Sequence, residues 1–373
     1  MRSKAISPAR SDTAISRVHA SSYRVPTDRP EADGTFEWSS TTIVVVEVDS
    51  LGHRGIGYSY TSQAAAVVIR ETLAPVLTGA DAMDLSAAWA TMQRAVRNLG
   101  RQGVCASAIA AVDTALWDLK GRMLDLPVLT LLGAARHEVA IYGSGGFTSY
   151  SIPVLQQQLA GWVDAGIARV KMKVGAERRD DPARVQAARE AIGPDTELVV
   201  DANGAWNAAA ALAMADQFAA SDVSWFEEPV TSDDLTGLAH VREHVPAGIE
   251  IAAGEYGYDL VYFRRMLQAE AVDVIQADVT RCAGITGFLR VGGLCEAFNM
   301  PLSAHTAPAL HVALGCAVPA VRHLEYFHDH VRIEQLLFDG VAPPRRGRLT
   351  ADRSRPGLGL DLKRTDAAQY RVD

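Results

Sequence analysis

Two lysines one residue apart, Lys171 and Lys173 in the stretch RVKMKV, fall in an apolar run that reads as a strand. Alternation along a strand directs both to one face and Met172 to the other. An edge strand with its lysines in solvent would account for the pair. Further along, polar residues end one short apolar run after another: Asp201 with Asn203, Glu227 with Glu228, then Glu255, Asp278, His305 and Glu325. A single acid in such a place is commonly the cap of the next helix, but a succession of this length is not explained by capping. Three carboxylates on adjacent strands, Asp201, Glu227 and Glu255, would repel one another unless a cation lay between them. An all-oxygen set of hard ligands suits Mg²⁺. A metal beside bases implies proton chemistry. A lysine with a pKa of ~10.4 is a poor base at neutral pH, yet a neighbouring cation and desolvation bring it to about 7–8. Lys171 and the metal are therefore expected to depress Lys173, with Lys171 also neutralising a substrate carboxylate. His305 and Asp278 form a second candidate pair for moving a proton.

The elements that must carry these residues are legible in the same runs. HEVAIYGS, IARVKMKV, TELVVDAN, VSWFEEP, IEIAAGE, VDVIQADV, MPLSAH and VRHLEY are each followed by a helical pattern. Continuous apolar strands alternating with helices mean a parallel sheet covered on both faces. Eight such units over about 138–345 predict a (β/α)8-type barrel, whose active site lies at the C-terminal strand ends. Before it, AISRVHASSYRVP, STTIVVVEVDS and GIGYSYTS read as an antiparallel meander, joined by the polar connector TDRPEADGTFEW and the turn LGHRG. Ala- and Leu-rich helical stretches follow, so residues 1–136 form an α+β domain, 137–345 the barrel and 346–373 a C-terminal segment.

Composition narrows the function. Of 373 residues, 48% are hydrophobic and 21% charged, as in an ordinary globular protein. A net charge of -8 without a basic stripe argues against nucleic acid. Cys105, Cys282, Cys295 and Cys316 lack metal or disulfide spacing. The N-terminal segment has no apolar signal region and no later stretch is long enough to span a membrane, so a cytoplasmic location is expected.

Taken together, KMK, DAN, FEEP, GE at 254–255 and QAD followed by SAH, with AIAAVDTALWDLKGRMLDLPVLTLLG before them, resemble the enolase superfamily, in particular its mandelate racemase subgroup. The resemblance spans nearly the whole chain. It implies an N-terminal capping domain, completed by the returning C-terminal segment, over a barrel that binds Mg²⁺ through Asp201, Glu227 and Glu255. It further implies Lys173 as the base on one face, His305 oriented by Asp278 as acid or base on the other, and Glu325 at a substrate carboxylate oxygen. The expected reaction removes the proton α to a carboxylate through an enediolate; dehydration of a sugar acid to a 2-keto-3-deoxy acid is the first reading. Racemisation, epimerisation or cycloisomerisation of a sugar lactone would use the same groups. A non-catalytic barrel binding an acidic ligand needs no bases on two faces, and a metal hydrolase would ask for histidine ligands that are missing here. The partner expected is a small carboxylate substrate, and the chain is expected to form a homo-oligomer. Asn203, with Tyr23, Arg24 and His53 of the first domain, are candidate substrate contacts. Ala283 stands where a second glycine is common, and Arg281 where some relatives have lysine, so the loop after the sixth barrel strand is a point of departure.

Overall fold

The computed structural model describes residues 12–373; the first eleven positions of the predicted N-terminal domain lie outside the described residues. An antiparallel sheet comes first: β1 (Arg17–Ala32), β2 (Glu37–Ser50) and β3 (His53–Tyr60), in the order β1-β2-β3. One face of it carries Val44, Val46 and Val48, packed on the helix Val104–Leu124; the other carries Tyr23, Val25, Ile43 and Tyr58, which join the barrel's core. The polar connector is shorter than the sequence reading has it. After an irregularity between Pro26 and Glu31 the strands pair again, Glu31 with Trp38 and Ala32 with Glu37. The Trp38 indole N–H donates to Glu31 at 2.8 Å, and this cross-strand bond extends the hairpin over what reads as loop.

All eight predicted barrel runs form strands: β4 (Glu138–Gly145), β5 (Arg169–Lys173), β6 (Glu197–Asp201), β7 (Val223–Glu227), β8 (Glu250–Ala253), β9 (Val274–Ala277), β10 (Leu302–Ala304) and β11 (Val321–Phe327). They pair in parallel in chain order, and β11 closes on β4. Closure leaves no edge among the eight, so β5 lies between β4 and β6 and its lysines cannot be edge lysines. Lys171 is fully buried and Lys173 is 6% exposed. The C-terminal segment first adds the short strand Arg348–Thr350 antiparallel to β4. It then runs back to the first sheet, where the Val372 N–H donates to the Ser22 carbonyl and Arg364 pairs with Glu47. Among the described residues no helix is long and apolar enough to cross a membrane.

The hairpin tip of β1 and β2 reaches the barrel mouth by close backbone approach. A Cβ on Gly34 would lie 2.4 Å from the Ala202 carbonyl oxygen and 2.6 Å from that of Val174. Only glycine permits that contact.

Candidate active site

Each barrel strand ends by turning a polar side chain toward the mouth. Lys171 and Lys173 share a face of β5; Asp201 ends β6, Glu227 ends β7, and Glu255 follows β8. Asp201, Glu227 and Glu255 each offer an oxygen, all three within 4.8 Å of one another. An octahedral ion with bonds of ~2.1 Å holds its ligand oxygens about 3–4.2 Å apart, so this spacing fits Mg²⁺. The remaining chemistry fits as well. Glu227 gives one oxygen to Lys171 at 2.6 Å, while its other buried oxygen has no partner. Among the described residues the buried carboxylates Asp201, Glu227, Glu255, Asp278 and Glu325 share ion pairs with Lys171, Lys173, Arg281 and His305, and Glu228 is a sixth buried acid beside them, an excess of acid that a divalent ion would relieve.

The two lysines differ. Lys171 is sealed beneath the mouth, its ammonium 2.6 Å from Glu227, 2.8 Å from Glu325 and 3.2 Å from Asp201. Burial alone would lower its pKa, but Glu227, Glu325 and Asp201 outweigh burial and hold it well above the ordinary value. It does not line the cavity, so in this structure its reach is to carboxylates of the protein. Lys173 does line it, with its ammonium 2.5 Å from Asp201. Its pKa is raised, against the depression read from the sequence: burial and Lys171 lower it, and the adjacent Asp201 carboxylate reverses the sign. A cation on Asp201 would weaken that pairing and favour the neutral amine.

His305 follows β10 and holds the other side of the trio. Its Nδ1 lies 2.9 Å from Asp278, its Nε2 3.1 Å from Glu255 and 3.7 Å from Glu325. Burial opposes the charged ring, yet Glu255, Glu325 and the Asp278 hydrogen bond push its pKa up to about 10. Asp278 is held well below the carboxylate range; burial opposes this, and His305 and Arg281 overcome it. The Thr280 N–H fixes its second oxygen at 2.7 Å. Glu325 is drawn down to about 2 against its burial by Lys171 and His305, and it accepts from the Ser144 hydroxyl and the Thr306 N–H. Burial and Asp201 push Glu227 up to about 8, as expected where carboxylates crowd. Backbone strain marks the same places: Asn203, Glu228, Ala283, Thr306 and Ala307 all have positive φ. Ala283 takes this conformation without glycine, and its loop turns Arg281 toward Glu255 at 3.1 Å and Asp278 at 3.5 Å.

Lys173, Asn203, Glu255, His305 and Glu325 line one open cavity of about 610 Å³. Tyr23, Arg24 and His53 do not. Tyr23 packs in the core, Arg24 is exposed on the other face of β1, and His53 pairs with Ser50 at the far end of the sheet. Since Tyr60 pairs with Ile43 near the mouth, His53 lies seven residues further along β3, roughly 23 Å away. The sequence reading misses the residues that do form the wall, among them Asp33, Phe36, Trp38, Tyr60 and Tyr256. Aromatics inside the polar stretch ADGTFEW were the available signal.

The family model described as the mandelate racemase/muconate lactonizing enzyme N-terminal domain matches residues 21–133, and that described as enolase C-terminal domain-like matches residues 154–367. The chain belongs to the mandelate racemase/muconate lactonizing enzyme family of the enolase superfamily. A 3,6-anhydro-alpha-L-galactonate cycloisomerase of Streptomyces coelicolor is 34% identical over 94% of this chain and 98% of its own. An arabinonate dehydratase of Saccharolobus solfataricus is 30% identical over 86% and 88%. Among solved structures, a mandelate racemase/muconate lactonizing enzyme-like protein from Rubrobacter xylanophilus superposes with a TM-score of 0.94, at 52% identity over 96% of this chain and all of that one. A racemase from Streptomyces coelicolor with bound magnesium superposes with a TM-score of 0.90, at 32% identity over 96% and 100%. Relatives of this chain thus include sugar-acid dehydratases and cycloisomerases, and magnesium is bound in homologous structures.

Proposed function

We propose that the chain is a Mg²⁺-dependent lyase that removes the proton α to the carboxylate of a sugar acid and expels the β-hydroxyl, yielding a 2-keto-3-deoxy acid. The observation that carries this reading is the placement of two proton carriers on opposite sides of one carboxylate trio: Lys173 beside Asp201, and His305 beside Glu255. Asp201, Glu227 and Glu255 would hold the metal, which supplies positive charge that stabilises the enediolate. Lys173 takes the α proton, and the electron pair of the C–H bond moves into the carboxylate. Protonated His305 then gives its proton to the departing β-hydroxyl, which leaves as water while the C–O bond breaks. The enol so formed tautomerises to the keto acid. Asp278 holds the His305 tautomer with Nε2 toward the cavity, Glu325 would have to take up a proton to donate to a substrate carboxylate oxygen, and Lys171 neutralises the carboxylates beneath. Asn203 is assigned a substrate contact. A cytoplasmic location, a homo-oligomeric state and a division at 1–136, 137–345 and 346–373 belong to the same reading, the last supported by the return of the chain end to the first sheet, where the Val372 N–H meets the Ser22 carbonyl.

Cycloisomerisation is the second reading, favoured by the 34% identity to the Streptomyces cycloisomerase. There His305 would protonate a leaving ring oxygen instead of a hydroxyl. The test is incubation of a sugar-acid library in D₂O, following deuterium at the α carbon by NMR together with the release of 2-keto acid. Exchange that needs Mg²⁺ and stops with EDTA is expected. Undiminished turnover after rigorous chelation would refute the metal's role, and 2-keto product without any β-elimination competence for hydroxyl substrates would favour cycloisomerisation.

A further inference from the structure

The cavity has two chemically unlike ends. At the barrel end its cationic side chains are Lys173 and Arg281, and both are engaged by the protein's own carboxylates: Lys173 by Asp201, Arg281 by Glu255 and Asp278. Arg281 also lies over the Tyr256 ring, 5.1 Å from its centroid. The one further histidine there besides His305, His330, stacks on Tyr60 with centroids 3.4 Å apart and accepts the Ala307 N–H on Nδ1 at 3.4 Å, which leaves that nitrogen unprotonated.

The far end is built by the first domain. Of the ten described residues that domain contributes to the cavity, one is charged, and it is the acid Asp33; the others are hydroxyl-bearing or aromatic. One Asp33 oxygen accepts from the N–H groups of Thr35 and Phe36, at 2.6 and 2.7 Å. Its turn is therefore fixed and its carboxyl group is held at the wall. Behind this wall lie two more buried carboxylates, Glu31 and Asp329, the latter accepting from Thr41 and paired with Arg332, which does not reach the cavity. Phe36 and Trp38 are stacked with centroids 6.1 Å apart and present aromatic faces to the same space.

We propose that this site takes a sugar acid with a single carboxylate, an aldonic-type acid, and discriminates against the matching diacid, because among the described residues the wall that would meet a second carboxylate offers hydroxyls, aromatic faces and Asp33 but no cation. This deepens the function proposed above and rests on it. One carboxylate is matched by the cation that Asp201, Glu227 and Glu255 would hold. The hydroxyl-bearing carbons fit the threonine and serine side chains, and the C–H faces of the sugar fit the aromatic rings. A second carboxylate would find only neutral hydroxyl donors, with no charge-assisted partner, and would stand in the field of Asp33.

The experiment compares each hexonate and pentonate diastereomer with its matched diacid, reading kcat/KM from 2-keto acid release and, separately, α-proton exchange in D₂O. The expected result is turnover of a monoacid at least about tenfold above its diacid, the scale of a charge-assisted hydrogen bond over a neutral one. Phe36→Arg supplies the missing cation at an exposed position that lines the cavity, and should narrow that ratio by roughly tenfold or more. A diacid handled as well as its monoacid, or a ratio unmoved by Phe36→Arg, would overturn the charge argument while leaving the proton chemistry intact. Failure of every acid in the panel to exchange its α proton would instead overturn the proposed function, and this inference with it.

Discussion

Asp278→Asn separates orientation of the histidine from assembly of the metal site. In the native chain the Asp278 carboxylate accepts from His305 Nδ1 at 2.9 Å and is held from behind by the Thr280 N–H at 2.7 Å. Asparagine is nearly isosteric, so the loop is retained while the negative charge is lost, and its single amide oxygen can serve either His305 Nδ1 or the Thr280 N–H but not both. A hydrogen bond to a charged group contributes about 1.5–3 kcal/mol. At 1.36 kcal/mol per decade of rate, that corresponds to roughly 10- to 200-fold in kcat. Should the amide turn its NH₂ toward the ring, Nδ1 would have to accept and Nε2 would carry the proton, which moves the loss toward the ~10⁴ limit of acid–base catalysis. Mg²⁺ affinity should change little, because Asp278 is outside the trio that offers ligand oxygens. The assay is steady-state release of 2-keto acid beside calorimetric titration of Mg²⁺, with α-proton exchange in D₂O as the third reading. Exchange through Lys173 should persist, since that residue lies across the trio beside Asp201. Normal turnover, or loss of metal binding, would refute the division of labour between the two sides.

Lys173→Ala should remove α-proton exchange as well as product formation, by about 10² to 10⁴ in rate, with the fold retained; exchange at the native rate would reassign the base. Gly34→Ala forces a Cβ against the carbonyls of Ala202 and Val174, so the hairpin tip should lift from the mouth, lowering kcat/KM about tenfold or more with a smaller loss of thermal stability. Kinetics equal to the native chain would show that the tip does not govern the site. Glu31 is fully buried, with one oxygen bonded to Trp38 and the other unpartnered. Its pKa is pushed up to about 9 by burial and by Asp329. Its folded-state pKa thus lies above its unfolded value, so the carboxyl costs nothing below about pH 4.5 and progressively disfavours folding as pH rises toward 9. Glu31→Gln should therefore melt higher than the native chain at pH 8, by a few degrees, with the gap closing near pH 4.5; a gap independent of pH would exclude this cause.

The sequence alone settles the barrel because βα periodicity is local. Each strand is a short apolar run, each helix a 3.6-residue pattern, and the polar residue that ends a run must lie at the mouth whatever the details of packing. That is why Asp201, Glu227, Glu255, Asp278, His305 and Glu325 could be read as one constellation before any distance was known. The same local reasoning stops at the electrostatics. Lys171 and Lys173 look equivalent along the strand, yet one is sealed by three carboxylates and the other opens to the cavity. Their difference depends on depth in the barrel, which alternation does not encode. The direction of the Lys173 shift likewise depends on Asp201, a neighbour on the next strand. The first domain shows the limit most clearly. Tyr23, Arg24 and His53 were candidates by proximity in sequence to a meander, whereas Asp33, Phe36, Trp38 and Tyr60 form the wall. Which end of that sheet faces the mouth is decided by the docking of its Tyr58 and Val25 face on the barrel core and by the approach of Gly34 to Val174 and Ala202. Those contacts join residues more than a hundred positions apart, and only packing of the two layers against each other selects them.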